Sequence, residues 1–207
     1  MSETARANIL ARLRAAPRQM VPDRPDWTPP TYGEGRLARF RAMLEAVHGE
    51  IHEVTTEDWA ERISVLLADR GATRVMVPPG MTLPDGLVAV PYDQPVEELK
   101  AVLVQGVEAG ITWAKAAIAD TGTLVLWPDA DEPRLLSLLP PIHVVLLRLG
   151  SLVDNLAQVM AEQTWAAGMP TNALLISGPS KTADIEQTLA YGVHGPKELI
   201  VLVLTDA

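Results

Sequence analysis

The sequence predicts an α/β fold, a mainly parallel sheet flanked by helices. Two observations carry that expectation. Amphipathic helical stretches run through a tight turn into short aliphatic strands, as in "TTEDWAERISVLLADRGATRVMVP". The last third then reads strand, helix, strand, helix, strand, an order that right-handed crossovers turn into parallel sheet.

Taken in order, Ile9, Leu10 and Leu13 fall at helical spacing among Arg6, Arg12 and Arg14, which predicts a short amphipathic helix. It is expected to pack on its own domain or on a neighbouring subunit. From Pro17 to Pro30, "PRQMVPDRPDWTPP" removes backbone donors and favours extended chain, so it reads as a strap that Trp27 pins down. Residues 1–30 are thus a helix and a proline-rich strap, and residues 31–207 the α/β domain. Leu37, Phe40, Leu44 and Val47 mark one face of the next helix. "TTEDWAERISVLLADRGA" is a second helix, with a Thr/Asp start and Gly71 as its stop.

"TRVMVP" and "LVAVP" are short strands. "GITWAKAAIADTGTLVLW" reads as two extended segments joined at Asp-Thr-Gly-Thr, although its alanine-rich first half also suits a helix. "IHVVLLRL" is a buried strand. "SLVDNLAQVMAEQTW" is a helix capped by Ser151, "ALLIS" a strand, "TADIEQTLAYG" a helix and "ELIVLVL" a final strand.

Composition narrows the function classes. A chain of 207 residues suits one domain with an appendage. A net charge of −9 argues against a general nucleic-acid binder. With no cysteine, disulfides, thiolate metal sites and a Cys-ligated iron–sulfur cluster are excluded for this chain. The cytosol fits best. The first residues do not read as a secretory signal, and the aliphatic runs are far shorter than the ~20 residues a membrane span needs.

The stretch most suggestive of chemistry is "ISGPSKTADIE". It is expected at the carboxyl end of a strand, where ligands gather in open α/β sheets. A helix start offers free N–H groups and a positive dipole end to an anion. Ser177, Ser180 and Thr182 add hydroxyls, Lys181 adds charge, and Gly178-Pro179 exceed what a cap requires. The competing reading is a simple cap, with Ser180 or Thr182 at the helix start and Asp184 and Glu186 in its first turn. It is not a Walker A loop, because Ser180 precedes Lys181.

Four further stretches stand out. "YGVHGP" sets His194 between Gly192 and Gly195-Pro196, a setting that frees its ring to reach a ligand or to brace the turn. Thr121, Gly122 and Thr123 suit either close approach to a ligand or a hairpin turn. Arg134, with Ser137 and His143 nearby, could hold a carboxylate bidentately or pair with Asp131 or Glu132. His48 and His52, four apart, do not form H-E-x-x-H, and a metal is not expected there.

Together "GIT.A..AIADTGTLVL", "R..SLLPPIHVVLL" and "ISGPSKTADIEQTLAYGVHGPKELIVLVL", with the opening "NILARLRAA", resemble the LUD-domain family in its lactate utilization protein C (LutC/YkgG-like) branch. The resemblance spans nearly the whole chain, and its last motif is long and specific. It implies the superfold of ribose-5-phosphate isomerase, glucosamine-6-phosphate deaminase and CoA transferases (NagB/RpiA/CoA-transferase-like). It also implies a place in a three-component system that oxidises L-lactate to pyruvate. The iron–sulfur clusters would then lie on the partner subunits, with no cofactor in this chain.

Catalytic residues are not implied by the resemblance. A small carboxylate or phosphate ligand at the motif positions is, and Lys181 stands where Arg is expected, giving charge without a planar fork. Two other readings remain open. One is a stand-alone enzyme on a sugar phosphate or CoA ester, with Lys181 or His194 as acid or base. The other is a ligand sensor or scaffold without chemistry. Apolar faces around the first helix leave a homo-oligomer open.

Overall fold

The structure, a computed structural model, describes residues 3–17, 27–90, 92, 102, 106–183 and 189–207. Three helices and three strands come first: α1 (Glu3–Ala15), α2 (Arg36–Glu45), β1 (Glu50–Val54), α3 (Trp59–Ala68), β2 (Arg74–Met76) and β3 (Val88–Val90). Next are β4 (Ala109–Trp113), β5 (Ala116–Ile118), β6 (Thr123–Leu126), α4 (Arg134–Leu138) and β7 (Ile142–Arg148). The chain closes with β8 (Leu152–Val153), α5 (Leu156–Glu162), β9 (Leu174–Ile176), β10 (Lys181–Ala183), β11 (Leu189–Tyr191) and β12 (Glu198–Leu204).

Six strands form one sheet in the order β1-β12-β7-β4-β2-β3, every neighbouring pair parallel. The mainly parallel α/β expectation therefore holds. Its central strands are mainly aliphatic because both faces are covered. Side chains alternate between faces, as strand geometry demands. Val144 and Leu146 of β7, with Ile200 and Leu202 of β12, pack with Ile63 and Leu67 of α3. Val145 and Leu147, with Val201 and Val203, pack with Phe40 and Leu44 of α2 and with Leu124 of β6.

That second face meets another sheet, of order β8-β5-β6-β9. Here β5 and β6 form an antiparallel hairpin, β9 adds antiparallel to β6, and β8 runs parallel to β5. The far side of this smaller sheet is closed by Val159 of α5 and by Trp165, against Ile118 and Val125.

Several expectations are corrected. The run "ALLIS" is a strand, β9, but it belongs to the smaller sheet, so the last third is not a parallel β-α-β-α-β series. The helix expected over "TADIEQTLAYG" is absent at both ends of that stretch. Lys181–Ala183 and Leu189–Tyr191 pair antiparallel instead. Its acids and its terminal glycine are local helix signals, and local propensity yields to non-local pairing. Ser151 does not cap a helix. It ends a 3-10 turn, Leu149–Ser151, while α5 starts later and is capped by Asn155, whose Oδ1 accepts from Gln158 N at 3.0 Å. The alanine-rich stretch before Asp120 forms strands β4 and β5 rather than a helix. On α1, formed as expected, Ile9 and Leu13 are 51% and 67% exposed. Residues 18–26 of the expected strap lie outside the described residues, and Trp27 is 64% exposed.

Candidate functional site

The amino ends of β7 and β12 lie side by side, with Ile142 opposite Glu198 and His143 opposite Leu199. Pro141 O accepts from both Lys197 N (2.8 Å) and Glu198 N (3.1 Å), which tethers the loop before β12 to the one before β7. Two chain segments close over this end. Ser180 N donates to Pro196 O at 2.8 Å, so the loop after β9 is hydrogen-bonded to the loop after β11. Gly195 makes that approach feasible, since a Cβ there would sit 3.0 Å from Ser180 Cβ. Gly178, at φ 127°, passes so close to α2's following turn that a Cβ would fall 2.9 Å from Val47 Cγ2.

Between these parts is a cavity of about 240 Å³. It gathers nine of the residues singled out in the sequence. Ser137 and His143 come from one side, and Ser177, Gly178, Pro179 and Ser180 from the loop after β9. His194, Gly195 and Pro196 complete it. The reason given for a ligand at Ser177–Ser180 needs correction, however. The cavity opens at the amino ends of the parallel strands, and β9 is not one of them. The rule about carboxyl ends therefore does not apply to this loop.

The polar part of the lining is hydroxyl and imidazole, beside Leu138, Leu175, Ile176 and Leu199, with no Lys or Arg side chain among the described residues that line it. His143 is buried, and burial pulls its pKa down to about 3, so the ring is neutral near pH 7. Its Nε2 lies 2.9 Å from Thr112 Oγ1, also buried. Ser137 Oγ donates to Arg134 O at 3.0 Å. A neutral buried imidazole is a poor base but a good hydrogen-bond partner. His194, by contrast, is exposed.

The remaining sequence candidates lie elsewhere. Thr121 and Thr123 reach the site only through hydroxyls: Thr121 Oγ1 to Thr123 Oγ1 at 2.7 Å, and Thr123 Oγ1 to Ser177 Oγ at 2.7 Å. They line a neighbouring cavity of about 350 Å³ with Trp27 and Asn155. Gly122 turns the β5–β6 hairpin beneath α2 at φ 64°, where a Cβ would sit 2.7 Å from Leu44 N. Arg134 and Lys181 are exposed and outside the lining, and Thr182 is held in the ladder opposite Ala190. Gly192, at φ 75°, turns the chain beyond β11. Asp184 and Glu186 lie outside the described residues. Sequence reasoning missed Thr112, whose only signal was a polar residue inside the apolar run "AGITW".

His52 is bonded on both ring nitrogens, to Glu50 Oε1 (2.6 Å) and to Arg62 Nη2 (2.9 Å), and His48 meets the Tyr191 ring edge-on at 5.4 Å. Among the described residues, no group of three or more His, Asp or Glu side chains could hold a metal ion. Nor is any described helix long and apolar enough to cross a membrane.

Known proteins agree with this architecture. The LUD domain matches residues 37–204. An uncharacterized protein of Neisseria meningitidis, NMB1437, is 33% identical, over 97% of this chain and 94% of its own length. Lactate utilization protein C of Geobacillus thermodenitrificans is 29% identical, over 96% and 94%. Uncharacterized protein YkgG of Escherichia coli is 37% identical over a shorter stretch, 48% of this chain and 45% of its own. The crystal structure of a DUF162-family protein from Deinococcus radiodurans superposes with a TM-score of 0.65 at 25% identity, covering 86% of this chain and all of that one. With a family match across both sheets and full-length relatives, the chain belongs to the LUD domain family.

Proposed function

We propose that this protein acts in lactate utilization, as the cluster-free component of a multi-protein system that oxidises L-lactate to pyruvate. Iron–sulfur subunits would carry the electrons, and the system would work in the cytoplasm. The observation that carries this reading is the end-to-end similarity to a protein named lactate utilization protein C.

In the same reading, the loop that begins at Ser177 binds a small anionic ligand. The hydroxyls of Ser177 and Ser180 and the His143 and His194 rings converge on one cavity, which supports it. With no Lys or Arg among the described lining residues, such a ligand would be held by neutral hydrogen-bond donors.

Lactate-dependent dye reduction tests the proposal, measured on the purified chain alone and after reconstitution with its co-purifying partners. Turnover is expected only in the reconstituted sample. Ser180→Ala should lower it without loss of assembly, and Lys181→Ala, outside the cavity lining, should lower it less. Turnover by the isolated chain would overturn the subunit reading in favour of a stand-alone enzyme.

A further inference from the structure

The carboxyl end of the six-stranded sheet holds a larger cavity, of about 510 Å³, on which the reading above does not depend. Trp113 is the last residue of β4 and Arg148 the last of β7, on neighbouring parallel strands. Just beyond Trp113 the chain leaves one sheet for the other. Ala114 N still donates to Leu146 O (2.9 Å), whereas Lys115 N already donates to Val125 O (2.8 Å). The two sheets part at this point. Trp127, directly after β6, and the turn carrying Asp129 and Glu132 also line the cavity.

Two cations and two acids line this cavity, but they are not paired with each other. Both acids are occupied by backbone donors. Asp129 Oδ1 accepts from Asp131 N (2.9 Å) and Glu132 N (2.8 Å), while Glu132 Oε2 accepts from Trp113 N (2.9 Å). Burial also raises the Glu132 pKa, which favours its neutral form. The two cations rest on aromatic faces instead. The Arg148 guanidinium lies 4.5 Å from the Trp113 ring centroid, and Lys115 Nζ lies 5.6 Å from that of Trp127. Among the described residues, neither has a carboxylate at ion-pair distance. Contact with an indole orients a cation without neutralising it. The cavity thus presents two cations that are free of ion pairs among the described residues, beside indole rings, at the carboxyl end of a parallel sheet where ligands characteristically bind.

We propose that this cavity is a binding site for a ring-bearing phosphate monoester, with Arg148 and Lys115 holding the phosphate and the indoles of Trp113 and Trp127 flanking the ring. Two cations match a dianion better than a single carboxylate. Arg supplies a planar fork and Lys a point charge, the usual division of work on a phosphate. The volume is also large for a three-carbon acid and leaves room for a ring.

Calorimetric titration of the full chain with AMP tests this, with adenosine and inorganic phosphate as controls. AMP is expected to bind saturably and to change tryptophan fluorescence, and both controls to bind at least tenfold more weakly. Arg148→Gln and Lys115→Gln should each weaken AMP at least tenfold and leave the thermal unfolding midpoint unchanged, because both side chains are exposed. Ser180→Ala, in the other cavity, should leave AMP binding unchanged, which separates failure here from failure of the lactate reading. Absence of AMP binding, or binding indifferent to both charge variants, would overturn the proposal. Equal binding of inorganic phosphate would overturn the role given to the indoles.

Discussion

His143 offers a sharp test of the physical picture, because its effect has a fixed sign. The ring is buried at the start of β7, and burial holds its folded pKa near 3 against an ordinary value of 6.5. The unfolded chain therefore takes up a proton that the folded chain refuses once the pH drops below 6.5. A depressed folded pKa means that the stabilisation is complete above the unfolded value and is lost as pH falls. Each pH unit is worth about 1.4 kcal/mol, so integrating between pH 7 and pH 5 gives a loss of about 2 kcal/mol from this residue alone. For a chain of this size that corresponds to a fall in Tm of about 4–8 °C. Glu108, Asp154 and Asp206, whose pKa values are lowered by hydrogen bonds, and Glu132, raised by burial, also contribute to the pH profile. Comparison with His143→Gln removes them, because both proteins share those groups. Urea unfolding at pH 7, 6 and 5 should show the stability gap between wild type and variant shrinking by about 2 kcal/mol toward the acid end. A gap that stays constant, or an imidazole resonance of His143 titrating near 6.5, would refute the reasoning.

Four other substitutions probe the structure around the smaller sheet. Gly122→Ala forces a Cβ to within 2.7 Å of Leu44 N at a positive φ, so a loss of at least about 2 kcal/mol is expected in urea unfolding; a loss below about 0.5 would contradict the tight turn. Arg36→Met removes the fork from Asp154, to which Arg36 Nε donates at 2.8 Å and Nη2 at 3.2 Å, leaving a buried carboxylate on Tyr32 N alone; about 2 kcal/mol should be lost, and loss of the Tyr32 segment should show as faster amide exchange there. Asn155→Ala uncaps α5 and should cost about 1 kcal/mol, whereas Ser151→Ala should cost little, a contrast that thermal unfolding resolves.

What could be read in advance, and what could not, follows from the range of the interactions involved. "IHVVLLR" and "ELIVLVL" announce themselves as central strands because residues of both parities are aliphatic, and both faces are indeed covered. Helices α2 and α3 are equally legible, since their burial repeats within the element itself. The same local logic fails between Lys181 and Tyr191, where acids and a terminal glycine spell a helix but the ends pair as strands. It fails again at β9. Three apolar residues say strand, yet nothing within them says which sheet, because that is decided by β6, some fifty residues upstream, through the pairing of Leu124 with Ile176.

The site inherits that ambiguity. Ser180 and Pro196 were both candidates, but their hydrogen bond exists only once the loops after β9 and β11 fold onto the ends of β7 and β12. The general expectation that ligands gather at the carboxyl ends of parallel strands was attached to the wrong strand. Applied to β4 and β7, it leads to the cavity between Trp113 and Arg148. Those two residues carried no motif and sit far apart in sequence. Only parallel pairing, which sets Trp113 opposite Leu146, brings Arg148 onto the Trp113 ring, and only the parting of the two sheets at Ala114 and Lys115 opens space beside them.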